Sequence, residues 1–362
     1  MFPAGAPARV LLLPGDGIGP EVTAAARAVL EVACPGIEYT ERPVGLAALS
    51  SLGVPFEPDL IRVAKAHDAI LFGAVGGPTH QERGSRRPEE ALFALRRELE
   101  LYANLRPIRV GTAPLAGSPL RPEYTAGVDL LLLRELAGGL YFGEKTLNSE
   151  SASDLCAYSR HEIARVVRQA FALARKRRCR VASVDKANVM ATGALWRSVV
   201  DELAAEHDDV EVEHLLVDNA AMQLLLRAAS FDVVVTENLF GDILSDEVSL
   251  LVGGLGMVPS ASFGDAPPAL YEPAHGSAPD IAGRGLANPC AAILSAALLV
   301  RHTLGDDACA TAIEQAVDAA VAAGIVTPDL GGAASTADVT SAVIARLDGL
   351  AATSIKSNSV DI

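Results

Sequence analysis

Short runs of β-branched and leucine-rich residues alternate along the chain with longer segments whose apolar positions recur every three to four residues. Residues 10–13 and 69–72 read as strands, with helices at 21–33 and 59–66 between them. The alternation returns farther on, with strands at 181–184, 211–216 and 233–235 and helices at 192–206, 220–227 and 243–251. Strand and helix in turn predict an α/β protein. The chain shows no internal repeat and no low-complexity linker, so composition marks no domain boundary, and the apolar helix at 291–300 fits either core. The small, polar residues 351–362 predict a frayed tail.

Half of the 362 residues are apolar, enough for a substantial buried core. With 45 acidic against 30 basic residues the formal charge is -15, which repels nucleic acid and anionic membrane surfaces. Neither is expected as a partner. The run Arg175, Lys176, Arg177, Arg178 and Arg180 has the composition of a nucleic-acid patch or nuclear address. It also closes an apolar-periodic segment (Ile163, Val166, Val167, Ala170, Phe171, Ala174) just before a strand, where the helix dipole favours cations, so a solvated helix end is expected. The five cysteines, Cys34, Cys156, Cys179, Cys290 and Cys309, contain no C-x-x-C spacing, and their odd number argues against a closed disulfide framework. Residues 10–13 are too few for the apolar core of a signal peptide, and the apolar stretch 290–300 is about half of what a bilayer requires. A reducing, cytoplasmic setting is the expectation.

Leu13-Pro14-Gly15-Asp16-Gly17-Ile18-Gly19-Pro20-Glu21 lies between a strand and a helix, where a dinucleotide fingerprint would sit. Its third glycine comes too early and Pro20 occupies the required place, so a Rossmann site is not expected here. Proline is ordinary in the first turn of a helix.

Three groups of residues carry candidate chemistry. Arg96, Arg106 and Arg134 are suited to planar, paired recognition of carboxylates, although each taken alone reads more readily as a surface arginine. Asp242 and Asp246 stand four residues apart, so on a helix they share a face and repel unless a cation compensates. Oxygen ligands favour Mg²⁺ or Mn²⁺, with Asp218, after the strand-like 211–217, as the third carboxylate. A helix cap at Asp242 and a solvated Asp246 is the plainer alternative. Tyr141 and Lys186 follow strand-like segments, and a lysine and a phenol can serve as general base and acid, or be structural.

These segments together resemble the β-decarboxylating dehydrogenase family, which includes 3-isopropylmalate, isocitrate, homoisocitrate and tartrate dehydrogenases. The likeness is carried by Arg134-Glu135-Leu136-Ala137-Gly138-Gly139-Leu140-Tyr141-Phe142-Gly143, by Asp185-Lys186-Ala187-Asn188, by Asn238 to Asp246 and by Glu272-Pro273-Ala274-His275-Gly276-Ser277-Ala278-Pro279-Asp280-Ile281. It extends from Leu13 to Gly332.

The resemblance implies a two-domain α/β fold without the Rossmann motif and with the active site in the interdomain cleft. Residues 1–100 plus 255–362 would form the large, cofactor-binding domain, and 101–254 the smaller one with the dimer interface. By the same carry-over Arg96, Arg106 and Arg134 would clamp the substrate, and Asp218, Asp242 and Asp246 would hold Mg²⁺ or Mn²⁺. Tyr141 and Lys186 would be the catalytic pair. Lys186 and Asp218 would reach into the neighbouring subunit's cleft, which implies a homodimer with shared active sites. Gly76, Gly77 and Glu89 would lie on the nicotinamide side of NAD, within the loop 76–89, and Glu272, His275, Gly276, Ser277, Ala278, Asp280, Ile281 and Asn288 on its adenosine side. The acidic Asp280 would favour NAD over NADP, because a carboxylate accepts from a ribose hydroxyl and repels a phosphate.

The implied reaction is the oxidative decarboxylation of a hydroxy-dicarboxylate, first of all (2R,3S)-3-isopropylmalate to 4-methyl-2-oxopentanoate and CO₂ in leucine biosynthesis. Leu92 and Phe93 would supply an apolar pocket for the isopropyl group; both being the core face of an amphipathic helix is the alternative. Tartrate, malate or homoisocitrate remain alternative substrates, and a binding homologue without turnover is the alternative from another class. The segment 144–158, which resembles the dimer arm, is shorter than in many family members, and the loop 77–89 is compact.

Overall fold

A computed structural model describes residues 7–77, 86–111 and 118–357. Its opening elements are β1 (Arg9–Gly15), α1 (Gly19–Ala33), β2 (Glu38–Glu41), α2 (Leu46–Leu52), α3 (Leu60–Lys65), β3 (Ala69–Ala74) and α4 (Glu90–Glu98). Then come β4 (Ala103–Arg109), α5 (Pro122–Thr125), β5 (Asp129–Glu135), β6 (Lys145–Leu147), β7 (Ala152–Asp154), α6 (Arg160–Arg175), β8 (Arg180–Asp185), α7 (Ala191–Ala205), β9 (Glu211–Leu216), α8 (Val217–Leu226), β10 (Val233–Thr236) and α9 (Asn238–Ser249). The last are β11 (Pro259–Phe263), β12 (Ala269–Pro273), α10 (Cys290–Leu299), α11 (Asp307–Ala322) and α12 (Thr336–Ser357).

Ten strands join in one sheet, in the order β2-β1-β3-β12-β11-β4-β5-β10-β8-β9. Pairing is parallel except where β11 meets β12 and β4, and where β4 meets β5. The strands of the first five positions come from residues 9–74 and 259–273, and those of the last five from 103–236. Strands such as β1 and β5 read as unbroken apolar runs because helices cover both of their faces.

One parity of each strand (Val10, Leu12, Leu131, Leu133, Val233, Val235) packs against α1, α6, α7, α10, α11 and α12. The other parity serves two separate cores. Leu11, Leu13, Ile70 and Phe72 pack with α3 and α4, while Ile108, Leu130, Leu132 and Val234 pack with α8 and α9. Two helix pairs therefore stand on the same face of the sheet, each over its own core.

Several expectations need correction. Helix α9 begins at Asn238 rather than 243, because Glu237 caps it by accepting from the Phe240 N–H; α8 begins at Val217 rather than 220, directly after β9, which puts Asp218 in its first turn. The helix α12 continues through Ser357, so most of the expected tail at 351–362 is helical, and 358–362 lie outside the described residues. Helix α10 joins the core shared with α1 and α11. The segment 144–158 holds the exposed hairpin β6–β7, and α2 had no counterpart among the expected elements. The basic run is tied down: Arg175 pairs with Asp209, Arg177 with Asp129 and Asp232, and Arg180 with Glu211. No helix among the described residues is long and apolar enough to cross a membrane.

Candidate active site

The floor of the site is laid by strand alternation. Asn104 of β4 stands opposite Arg134 of β5, and Arg106 lies two residues beyond Asn104, so all three side chains leave the same face. Glu272 shares the parity of Leu270, which faces the α3–α4 core. Arg96 comes from the last turn of α4, which is anchored through Ala91, Ala94 and Leu95 and delivers the guanidinium to Glu272 at 2.9 Å. From the opposite wall, α9 presents Asp242 and Asp246 one turn apart, both past its first turn and neither a cap.

These groups meet. Arg134 donates from Nε and Nη2 to the Asn238 side-chain oxygen at 3.0 and 2.8 Å and from Nη1 to Asp242. Arg106 donates to the Ser245 hydroxyl at 2.5 Å, to Asn104 at 3.0 Å and to Asp246 at 3.4 Å. The Tyr141 phenol, set by a short 3-10 turn over Gly139–Tyr141, donates to the second Asp242 oxygen at 2.5 Å. Gly241 is required here: a Cβ would stand 2.6 Å from Cγ of Arg134. Burial lowers the affinity of the Arg134 guanidinium for its proton, to a pKa of about 10, and shifts Arg106 in the same direction. Burial also works to raise Asp242, but Arg134, the Tyr141 hydroxyl and Arg106 outweigh it and hold the carboxyl below its usual range. Asp246 is raised by burial and by Asp242, and Tyr141 by burial and its bond to Asp242.

Lys186, just beyond β8, and Asp218 form a separate pair, Nζ to Oδ1 at 2.6 Å, with the Asp218 carboxyl lowered by that bond. Among the described residues no three His, Cys, Asp or Glu side chains of this chain converge as a metal set. Asp242 and Asp246 supply hard oxygen donors suited to Mg²⁺ or Mn²⁺. Asp218 is not brought to them within the chain.

On the other side of α4, Gly76 stands next to Ser277 and Glu89: a Cβ on it would lie 3.1 Å from the Ser277 hydroxyl and 3.6 Å from a Glu89 oxygen. The Gly-rich turn holds this corner together. Asp16 accepts from the N–H groups of Leu46 at 2.7 Å, Ala47 at 3.2 Å and Gly76 at 3.1 Å, and Ile18 N–H donates to the Ser277 carbonyl at 2.8 Å. The turn dismissed as a dinucleotide fingerprint thus organises the loops expected to hold one. His275 Nε2 and Arg96 Nε are buried without partners, polar atoms that a bound ligand would satisfy. Gly276 and Asp280 are exposed, Ala278 takes the left-handed φ of 36°, and Ile281 N–H closes a turn on the Ala278 carbonyl. Asn288 is occupied structurally: its amide bonds to Asp329 at 3.0 Å and its oxygen to the Cys290 N–H. Gly77 is the last described residue before 78–85, so the centre of the nicotinamide-side loop lies outside the described residues. Leu92 joins the α4 core in part, whereas Phe93 is 39% exposed and meets the ring of Phe142 edge-on, centroids 6.3 Å apart. Phe93 is therefore not a core residue.

The family model described as isocitrate/isopropylmalate dehydrogenase matches residues 9–343. The chain belongs to this family. Among dehydrogenases of this kind it is similar to the 3-isopropylmalate dehydrogenase of Streptococcus mutans, 50% identical over 343 residues that make up 94% of this chain and 99% of that one. The relative of the same name from Anaeromyxobacter dehalogenans is 49% identical over 350 residues, again 94% of this chain and 99% of that one. Solved structures agree on the fold. Isocitrate dehydrogenase from Methylococcus capsulatus superposes with a TM-score of 0.86 at 34% identity, over 94% of this chain and 99% of that one. A β-decarboxylating dehydrogenase from Thermococcus kodakarensis gives 0.81 at 37% identity, over 95% and 97%.

Sequence reasoning missed three supports of the isocitrate/isopropylmalate dehydrogenase site. Asn104 and Asn238 orient Arg106 and Arg134, and Ser245 receives Arg106. The i−2 position on a strand was the available signal for Asn104. Asn238 and Ser245 lie inside a quoted motif whose helix was started too late.

Proposed function

We propose that the chain oxidises and decarboxylates 3-isopropylmalate, using NAD and Mg²⁺ or Mn²⁺, as a homodimer with shared sites. The observation that carries this reading is the convergence of Arg106 and Arg134, both buried, on the two α9 carboxylates and the Tyr141 phenol, with Arg96 held close to Arg106 on Glu272. Its support in substrate comes from relatives of that name at about half identity over nearly the full length.

The guanidinium groups would bind the two substrate carboxylates in planar, paired fashion. Asp242 and Asp246, with Asp218 of the partner subunit, would hold the cation. NAD accepts the hydride, and a divalent cation stabilises negative charge on the substrate oxygen, when they are bound. Lys186 takes the hydroxyl proton, and Tyr141, aimed into the site by its turn, returns a proton to carbon after CO₂ departs. Phe93 and Leu92 line the place of the isopropyl group. The large domain would comprise 1–100 and 255–362, the smaller 101–254.

The test is NADH formation followed by absorbance, with Mn²⁺ and 3-isopropylmalate, malate, tartrate, homoisocitrate and isocitrate in turn. The highest kcat/KM is expected with 3-isopropylmalate and NAD. A higher value with another acid reassigns the substrate, comparable values with NADP overturn the cofactor preference, and no turnover with any of them leaves a binding protein.

A further inference from the structure

The sulfur atoms of Cys34 and Cys309 lie 2.9 Å apart, although 275 positions separate them in the chain. Two helix ends hold them there. Cys34 caps α1, with its N–H closing on the Leu30 carbonyl, and Cys309 sits in the first turn of α11, with its N–H bonded to the capping Asp306 at 2.9 Å. Cys309 Sγ is also 3.4 Å from the Ala33 carbonyl, so both thiols are aimed into the same seam. Both are only half-buried, and no other two cysteines touch among the described residues.

We propose that Cys34 and Cys309 form an oxidisable dithiol site that takes a small-molecule disulfide of the glutathione type and closes into a bond clamping α1 to α11. Cys309 is the attacking group, because the hydrogen bond from Cys34 and its place at a helix N-terminus both favour its thiolate, against partial burial and the charge of Asp306. Its sulfur attacks the small disulfide, whose S–S bond breaks and releases one thiolate. Cys34 then gives its proton to solvent and attacks the Cys309 sulfur of the mixed disulfide, which releases the second small thiol. Two protein thiols are oxidised and one small disulfide is reduced to two thiols. The sulfurs need to approach by less than about 1 Å to reach bonding distance. A reversible pair of this kind is compatible with an odd cysteine count, which speaks only against a closed, permanent framework.

The bond would close a loop spanning most of the chain, restricting the unfolded state far more than the folded one. The test incubates the full-length protein with oxidised glutathione and then maps its peptides by mass without reductant. Expected are the loss of two hydrogens, one cross-linked peptide joining Cys34 to Cys309, a Tm higher by roughly 5 °C, and reversal of all three by dithiothreitol. Cys34→Ser and Cys309→Ser should each abolish the link and the Tm shift. Neither should change the untreated enzyme's turnover, since neither thiol touches the site. A glutathione adduct that persists on either cysteine without a link, or a link between other cysteines, overturns the proposal. So does a protein whose Cys34 and Cys309 stay alkylatable after treatment.

Discussion

Phe93 lies three residues before Arg96 on α4, with its ring against Phe142, the neighbour of the general acid candidate Tyr141. An apolar side chain left partly open beside a cluster of charges has a use only if something apolar joins it. Phe93→Ser should lower kcat/KM for 3-isopropylmalate by roughly ten- to two-hundred-fold, the range for lost pocket contacts, with a smaller loss on malate. Because the ring is half outside, the Tm should hardly move, and equal losses on both substrates would mean that α4 itself was damaged. At this scale the residue types of the site were readable because arginine, aspartate and tyrosine recur in quoted motifs. Their placement was less so. Asp242 reads as a cap when the helix is started at 243, and the true cap, Glu237, is hidden because Asn238-Leu239-Phe240-Gly241 shows no clean period of its own.

Among the elements, strands β1, β3, β8 and β10 were plain from their apolar runs, since burial on both faces leaves little room for polar residues. Short α2 escaped notice. Seven residues cannot show a helical period, and its N-terminus is capped by Asp16, which is thirty positions away. That carboxylate ties three loops together, so Asp16→Ala leaves the N–H groups of Leu46, Ala47 and Gly76 without an acceptor. A stability loss of about 1–3 kcal/mol in urea unfolding is expected, together with a raised KM for NAD. Asp16→Asn, which keeps one acceptor oxygen, should recover part of both. If stability falls while the KM for NAD stays put, the turn supports the fold and not the cofactor. A second element-level test uses Glu135 at the end of β5, whose carboxyl burial raises to a pKa of about 7 despite bonds from the Ala137 and Gly138 N–H groups and the nearby Arg165. Glu162 and the Tyr158 phenol also bear on it. Between the ordinary carboxyl value and about 7 the folded chain holds more protons than the unfolded one, so stability falls as pH rises across that window. The non-titrating Glu135→Gln should remove this slope, worth on the order of 2–3 kcal/mol. Parallel unfolding curves for the two proteins from pH 5 to 8 would count against a buried, protonated Glu135.

For the whole molecule, Lys186 and Asp218 engage each other and not Tyr141, Asp242 or Asp246. That separation is what a site shared between two chains requires. Lys186→Ala and Tyr141→Phe should each be nearly inactive alone, whereas co-refolding the two should restore activity in proportion to the mixed dimers, because such a dimer collects both lesions in one cleft and spares the other. Mixed dimers seen by mass but still inactive would place both residues in one subunit's cleft. The sequence suggested the proposed two-chain arrangement only through resemblance, since periodicity reports the burial of a residue and not which copy buries it. The same limit applied to the sheet. Alternation revealed β1, β3, β8, β9 and β10 but not β2, β4, β11 or β12, nor that β12, β11, β4 and β5 run as an unbroken ladder between two helix pairs. The ladder has a mechanical consequence. Walls that share one hydrogen-bonded plate are joined without a slack linker, so a narrowing of the gap between α4 and α9 would be expected to work against those four strands. A sheet strained in this way would tend to return to its resting twist, and so to the open gap.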